Sequence, residues 1–310
     1  MPLRARPMKP NDVRACVEII AAHPVIGPRY GRSVQDLRTS WRSLLDSDGM
    51  TTAVIEEANG SAVRLCAVGI GLFICEEFLR ELKTPPLFWV GPELARRITS
   101  GNSPVLSDRQ VREANSGNGL NLIVWEALPR AEYAQRANIF HQMMQIFLDN
   151  HRGFLMKEMI TTQSENVRRL QFSVDAGGLF WDPAEARYAK FPSRSVEEFI
   201  REPHIVGITQ ELEAARLGSW VGSLFDYQTP RFGFSRSEQR MLHAALAAES
   251  GTDRELGGTL GVSLPTVKKM WLSVYRRVSE RCPETIEDCA RAVEAERGNE
   301  KKAPPPRLCA

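Results

Sequence analysis

The chain has 310 residues, 43% hydrophobic and 25% charged, which is ordinary globular usage and enough for about two domains. Its formal net charge of +2 excludes a wholly basic nucleic-acid binder, so any nucleic-acid site must come from local clustering of cations.

Taken in chain order, "MPLRARPMKPND" carries charges without an apolar core, so no secretory signal is expected and a cytoplasmic location is. "LRAR" predicts a short strand, Asp12 a polar turn near a cap, and the following segment a helix with Val13, Cys16, Val17 and Ile20 inward. "TTAVIEEANGSAVRLCAVGIGLFI" reads as two strands about an Asn-Gly turn. Its apolar run, 65–75, falls well short of the roughly 20 residues a bilayer span needs, so no membrane partner is expected. The "GIG" at 69–71 lacks the third glycine of a dinucleotide loop and reads as close strand packing. "GLNLIVWEAL" predicts another buried strand. "YAQRANIFHQMMQIFLDNH" predicts a helix facing inward through Ile139, Met143, Ile146 and Phe147. "GFLMKEMITT" is again a strand, and "SENVRRLQFSVDAGG" a helix closed by Gly177 and Gly178.

This order of strand, helix, hairpin, strand, helix, strand, helix resembles GNAT-type acetyltransferases over residues 1–190, the opening stretch and "RRLQFSVDAGGLFW" carrying its two ends. The resemblance implies an α/β domain with a mixed sheet and helices. In that family a Q/R-x-x-G-x-G/A loop cradles the CoA pyrophosphate on backbone amides. The matching stretch here is Gln135 to Phe140, with Asn138 and Phe140 where glycines belong. Those side chains obstruct the approach, so neither catalysis nor a bound cofactor is expected; the alternative is an active N-acetyltransferase fused to a DNA-binding module. GxSxG, P-loop and HExxH patterns are absent from the sequence. The six cysteines (16, 66, 75, 282, 289, 309) are scattered without CxxC pairs, so a metal site is not expected. Glu57, Glu76, Glu77 and Glu126 near strand ends are candidate bases or solvated acids, and His141 a core or surface histidine. Trp41, Trp89, Trp125 and Trp181 suit either a small-molecule pocket or the core.

Residues 191–230 read as a coupling segment, with an amphipathic helix over 208–225 carrying Leu212, Ala215, Leu217, Val221 and Leu224, and "YQTPRFG" as a hinge. Residues 231–298 then predict an all-α domain. Ser235 caps a first helix with Glu238 three residues on, Leu242, Ala245 and Leu246 forming its inner face. Thr252 caps a short second helix with Glu255 three residues on and Leu256 and Leu260 inward; Gly261 stops it. Ser263 caps the third, whose first turn holds Pro265. There Val267, Trp271, Val274 and Val278 make the core stripe, with Lys268, Lys269, Leu272 and Arg276 on the other side.

"TDRELGGTLGVSLPTVKKMWLSVYRRV" resembles the helix-turn-helix of LuxR-type response regulators, with Glu255, Leu256, Gly257, Leu260, Gly261, Val262, Ser263, Thr266, Val267 and Lys268 at its signature positions. Two departures are Gly257, where the family usually has Ala, and Met270, where it has His. The resemblance implies binding to double-stranded DNA, with Lys268, Lys269 and Leu272 in the groove, Thr252, Thr266 and Arg276 toward phosphates, and Ser263, the cap, among the DNA-binding residues. It also implies a homodimer, whose contact would be a fourth helix bearing Ile286, Ala290 and Val293; the alternative is that this helix packs against its own domain. Autoinducer-sensing LuxR proteins carry an α/β ligand domain in the N-terminal position, so a small-molecule ligand there is expected as well. The Pro-rich tail, 299–310, is expected to be disordered.

Overall fold

Strands rich in β-branched and apolar residues assemble, in the computed structural model, into one eight-stranded sheet within the first of two compact units, Met1–Gln228 and Thr229–Ala310. The structure describes residues 3–59, 62–162, 166–190, 196–214, 220–227, 232–247 and 252–281. The first unit runs β1 (Leu3–Arg6), α1 (Val13–Ala22), α2 (Ile26–Tyr30), α3 (Val34–Leu44), β2 (Met50–Asn59) and β3 (Ala62–Ile74). It continues through α4 (Glu76–Leu82), α5 (Val90–Thr99), α6 (Asp108–Asn115), β4 (Leu120–Pro129), α7 (Ala137–His151) and β5 (Met156–Thr161). It closes with α8 (Val167–Asp175), β6 (Leu179–Asp182), β7 (Arg187–Ala189), α9 (Val196–Phe199), β8 (Val206–Thr209) and α10 (Gln210–Ala214).

The strand order is β1-β2-β3-β4-β5-β8-β6-β7, mixed because β4 and β5 pair parallel while the other neighbours pair antiparallel. The long connection through α7 is what a parallel pair requires. Asn59 pairs with Ala62, so β2 and β3 form the expected hairpin; its two-residue turn lies outside the described residues. Side chains alternate between two cores. Val54, Val68 and Ile123 face α1, α3 and α5, while their neighbours Ile55, Ala67 and Leu122 face the opposite side. On the first face Trp41 and Trp125 meet edge to face, centroids 5.9 Å apart, and both are fully buried. On the second, Ile139 and Met143 of α7 pack on Ile55, Cys66 and Ala67.

Two expectations need correction here. The single amphipathic helix over 208–225 does not form. Val206–Thr209 is instead a strand inserted between β5 and β6, followed by the short α10 and a 3₁₀ turn at Trp220–Leu224. Four consecutive sheet-compatible residues, "VGIT", satisfy their backbone groups on β5, and that pairing overrides helical spacing. The stretch from 196 to 227 is thus built into the sheet unit. On the first helix of the second unit, the inner face is rotated from the one expected. Met241 is fully buried, with Leu242 and Ala245 half-buried, whereas Leu246 is 69% exposed.

The second unit holds three described helices, α11 (Arg236–Ala247), α12 (Asp253–Leu260) and α13 (Leu264–Arg281). Their core is Met241, Leu256, Val267, Val274 and Val278. The fourth helix with Ile286, Ala290 and Val293, and the tail, lie outside the described residues. Among the described residues no helix is long and apolar enough to cross a membrane.

Candidate functional site

In the second unit, paired backbone and side-chain hydrogen bonds set the directions of the helices. The Ser235 hydroxyl accepts from the Glu238 amide at 3.3 Å, and the Glu238 carboxylate accepts from the Ser235 amide at 2.6 Å. Thr252 and Glu255 make the same reciprocal pair, at 3.3 and 2.7 Å. Gly261 ends α12 in the left-handed conformation (φ 68°), and the Val262 amide then donates to the Gly257 carbonyl at 2.9 Å. A Cβ on Gly257 would lie 2.8 Å from the Val262 carbonyl oxygen. Glycine at this position is therefore what lets α12 and the turn approach this closely.

At 3.6 residues per turn, Lys268, Lys269, Leu272 and Arg276 span roughly 100° of the α13 surface, and all four are exposed. Leu272 lies inside that arc and is 69% exposed. Val267, Val274 and Val278 occupy the opposite side and are buried. Trp271, expected in the core, lies at its edge. It is half-buried, stacks on Tyr275 with centroids 5.8 Å apart, and its indole N–H donates to Asp253 at 3.1 Å. That bond ties α13 to the first turn of α12. The hydroxyls of the expected DNA-binding residues Thr252, Ser263 and Thr266 are engaged locally. Thr252 serves its capping box, and Ser263 and Thr266 bond each other at 2.9 Å. Behind the surface, burial alone would raise the Glu238 carboxyl, but hydrogen bonds from Ser273 and Ser235 and the nearby Arg277 charge hold it below the ordinary carboxylate range.

The first unit does not gather its candidate residues at one point. Trp41 and Trp125 are core; Trp89 is half-buried under the Arg29 guanidinium at 3.9 Å; Trp181 faces Lys83 at 4.5 Å. His141 is exposed. Glu57 accepts from Tyr133 at 2.7 Å and from Arg136 at 3.0 Å, which holds it below the usual range. Glu76 pairs with Lys157, Glu77 is exposed, and Glu126 is buried, accepting from the Tyr30 hydroxyl at 2.5 Å. Gln135 and Asn138 are exposed at the start of α7, whereas Phe140 turns toward the interior. Burial pushes the Cys16 thiol up to about 12, so it is no nucleophile at neutral pH.

Sequence reasoning passed over His151, although it continues the Ile139, Met143, Phe147 stripe at a spacing of four. It ends α7, fully enclosed. Nδ1 faces the Phe147 carbonyl at 2.7 Å and so carries the hydrogen, leaving Nε2 to accept from the Thr51 hydroxyl at 2.8 Å. Desolvation pushes its pKa down from 6.5 to about 4, so it is neutral at pH 7. A cavity of about 130 Å³ opens beside it, between the sheet and α7 and α8.

No family model matches the sequence, and no curated protein matches it. Five solved chains overlap it, two of them as follows. An uncharacterized protein from Bacillus halodurans does so with a TM-score of 0.38 at 10% identity, over 73% of this chain and 92% of its own. A chimera of the Vibrio cholerae spermidine N-acetyltransferase SpeG and hSSAT does so with a TM-score of 0.36 at 12% identity, over 69% and 99%. Overlaps this weak carry nothing to the activity of this chain.

Proposed function

We propose that this chain is a DNA-binding transcription regulator of the cytoplasm, whose second unit is a LuxR-type helix-turn-helix that lays α13 in the major groove. The observation that carries this reading is the division of α13 into a buried valine stripe and an opposed exposed face bearing Lys268, Lys269, Leu272 and Arg276. A helix seated in a groove needs that division, with base-reading groups near its start and a backbone-reaching cation further on. Lys268 and Lys269 occupy the first turns, and Arg276 stands about two turns beyond. Two copies on adjacent half-sites supply the specificity that one short helix lacks. The first unit, in this reading, answers to a small molecule and biases DNA binding through differential contact in two states. Selection of bound duplexes from a random pool by the full chain tests the reading; a common motif is expected, and no enrichment over naked resin would sink it.

A second reading, an N-acetyltransferase joined to the same module, has one favouring feature. The last pairing of β4 with β5 is Val124 with Thr161, and β4 runs on to Pro129 with no described strand beside it on that edge. Titration of the full chain with acetyl-CoA discriminates, a micromolar dissociation constant favouring the enzyme.

A further inference from the structure

The sheet face beneath α7 is made of unusually small side chains. Ala53 of β2, Gly69 and Gly71 of β3, and Ala127 of β4 all lie there, where the opposite face carries Val54, Val68 and Trp125. The two glycines of the "GIG" stretch play different parts. A Cβ on Gly71 would press to 2.7 Å from the Thr51 hydroxyl and 2.9 Å from His151 Nε2, so its absence allows the His151–Thr51 hydrogen bond to form. A Cβ on Gly69 would meet only the Ala53 Cβ, at 3.7 Å. Gly69 therefore leaves space that nothing fills, and it is half-exposed although it lies in a central strand covered by helices.

Around that space stand large apolar groups that are incompletely buried: Met144 and Phe147 of α7, Met159 of β5, Phe172 of α8, and Trp220. Phe172 and Trp220 stack with centroids 5.3 Å apart, and Phe140 meets Phe172 edge to face at 4.6 Å. Thioethers and aromatic edges make an adaptable apolar wall. The ionisable groups along the described lining are already engaged. Glu126 accepts from Tyr30, Arg169 donates to the Ala127 carbonyl, and His151 has both ring nitrogens in hydrogen bonds. These groups are committed to the fold, the walls named above are apolar, and the cavity volume, about 130 Å³, is close to that of voids that hold one aromatic ring.

We propose that this cavity is a binding site for an uncharged, apolar small molecule with a single-ring or short-alkyl body, floored by Ala53 and Gly69 and walled by Met144, Phe147, Phe172 and Trp220. It deepens the reading of the first unit as ligand-sensing, and it stands independently of whether the second unit binds DNA.

Three probes sharing one ring and differing in charge test the site on the full chain: toluene, benzoate and benzylamine, with melting temperature and the fluorescence of Trp220 and its neighbours as readouts. Toluene at about a hundredfold excess over its Kd is expected to raise Tm by several degrees, and the two ions to leave it unchanged. Gly69→Val, which fills the floor, should weaken toluene binding at least about tenfold while leaving the fold intact; Ala53→Leu is the second variant should the first fail to fold. A benzoate or benzylamine shift equal to that of toluene overturns the proposal. So does an absence of any toluene shift, or a shift that survives in both folded variants. A Tm rise with acetyl-CoA that Gly69→Val abolishes would overturn it in favour of the enzyme reading. A protein that takes toluene but enriches no duplex leaves this site standing and removes the DNA reading.

Discussion

The first unit hides its ionisable chemistry, and the second displays it. His151, Glu126 and Glu158 are buried in the first, each with a partner inside the fold: Thr51, Tyr30 and the Lys83–Tyr188 pair. In the second unit Glu238 is the one buried ionisable side chain among the described residues, and Lys268, Lys269 and Arg276 of α13 stand in water. Buried, satisfied polar groups specify a packing arrangement and leave an apolar cavity as the accessible feature. Exposed cations on a rigid helix offer only a surface, and a polyanion is the partner that uses such a surface best. In the proposed reading these are two recognition chemistries that do not compete.

The largest effect should come from carrying a charge into the core of the second unit. Val274→Asp places an unpaired carboxylate among Met241, Leu256 and Val267, and is expected to cost at least about 3 kcal/mol. That core has five buried residues, so α11 to α13 should lose hydrogen-exchange protection while β3 and β4 retain theirs. Loss of protection in both regions would show that they unfold as one, and the contrast drawn above would fail.

Acid should act the other way round. The folded pKa of His151, about 4, lies below its unfolded value of 6.5, so the unfolded chain binds the extra proton between those values. Stability from this group is complete above pH 6.5, declines as pH falls toward 4, and totals about 3 kcal/mol. Glu238 has a depressed pKa, so its contribution holds above the ordinary carboxylate value and is lost only as pH falls through its folded pKa. Hydrogen exchange at pH 7 and pH 5 should therefore show α7 losing protection first. Equal loss in α7 and α13 would mean that His151 is not the group being titrated.

These groups differ in how far the sequence announces them. Capping boxes at Ser235 and Thr252, the left-handed Gly261 and the valine stripe are local patterns, and each appears where the spacing places it. The strands β2 to β5 and the helices α1, α7 and α8 are legible for the same reason: their alternation or fourfold spacing reflects one buried face. β8 is not, because four residues are too few to show a period and its pairing with β5 is supplied by residues some fifty positions away. α6 went unread although Ser107 and Gln110 form a complete capping box. The cavity was invisible for a further reason. A void is defined by small residues on several strands at once, and no single stretch of sequence records that Ala53, Gly69 and Ala127 share a floor.

Within that floor the two glycines give a sharper contrast than the two units do. Gly71→Ala forces contact with Thr51 and His151 and is expected to cost about 1–3 kcal/mol. Gly69→Ala adds a methyl into open space and should stay within about 0.5 kcal/mol of the parent. Urea unfolding of both variants at pH 7 checks the pair. Equal costs would show that the cavity collapses around Gly69 and that the face beneath α7 is no less packed than the other.

The smallest effects on stability belong to the displayed cations, whose removal tests whether the surface does what its chemistry suggests. Lys269→Ala should cost about 1–3 kcal/mol on a selected duplex and relax the preference at one base position, as loss of a base-edge contact does. Arg276 stands further along α13 and is placed to reach a phosphate, so Arg276→Ala should weaken cognate and scrambled duplexes alike. Removing one phosphate contact lowers the slope of log K against log salt by about one, while the ratio of cognate to scrambled affinity is unchanged. Both side chains are exposed and neither packs in the core, so thermal stability should not move in either variant. If Arg276→Ala changes base preference and Lys269→Ala changes only the salt slope, the helix enters the groove from its other end. The exposed arc around Leu272 would still be the contact surface, read in the opposite direction.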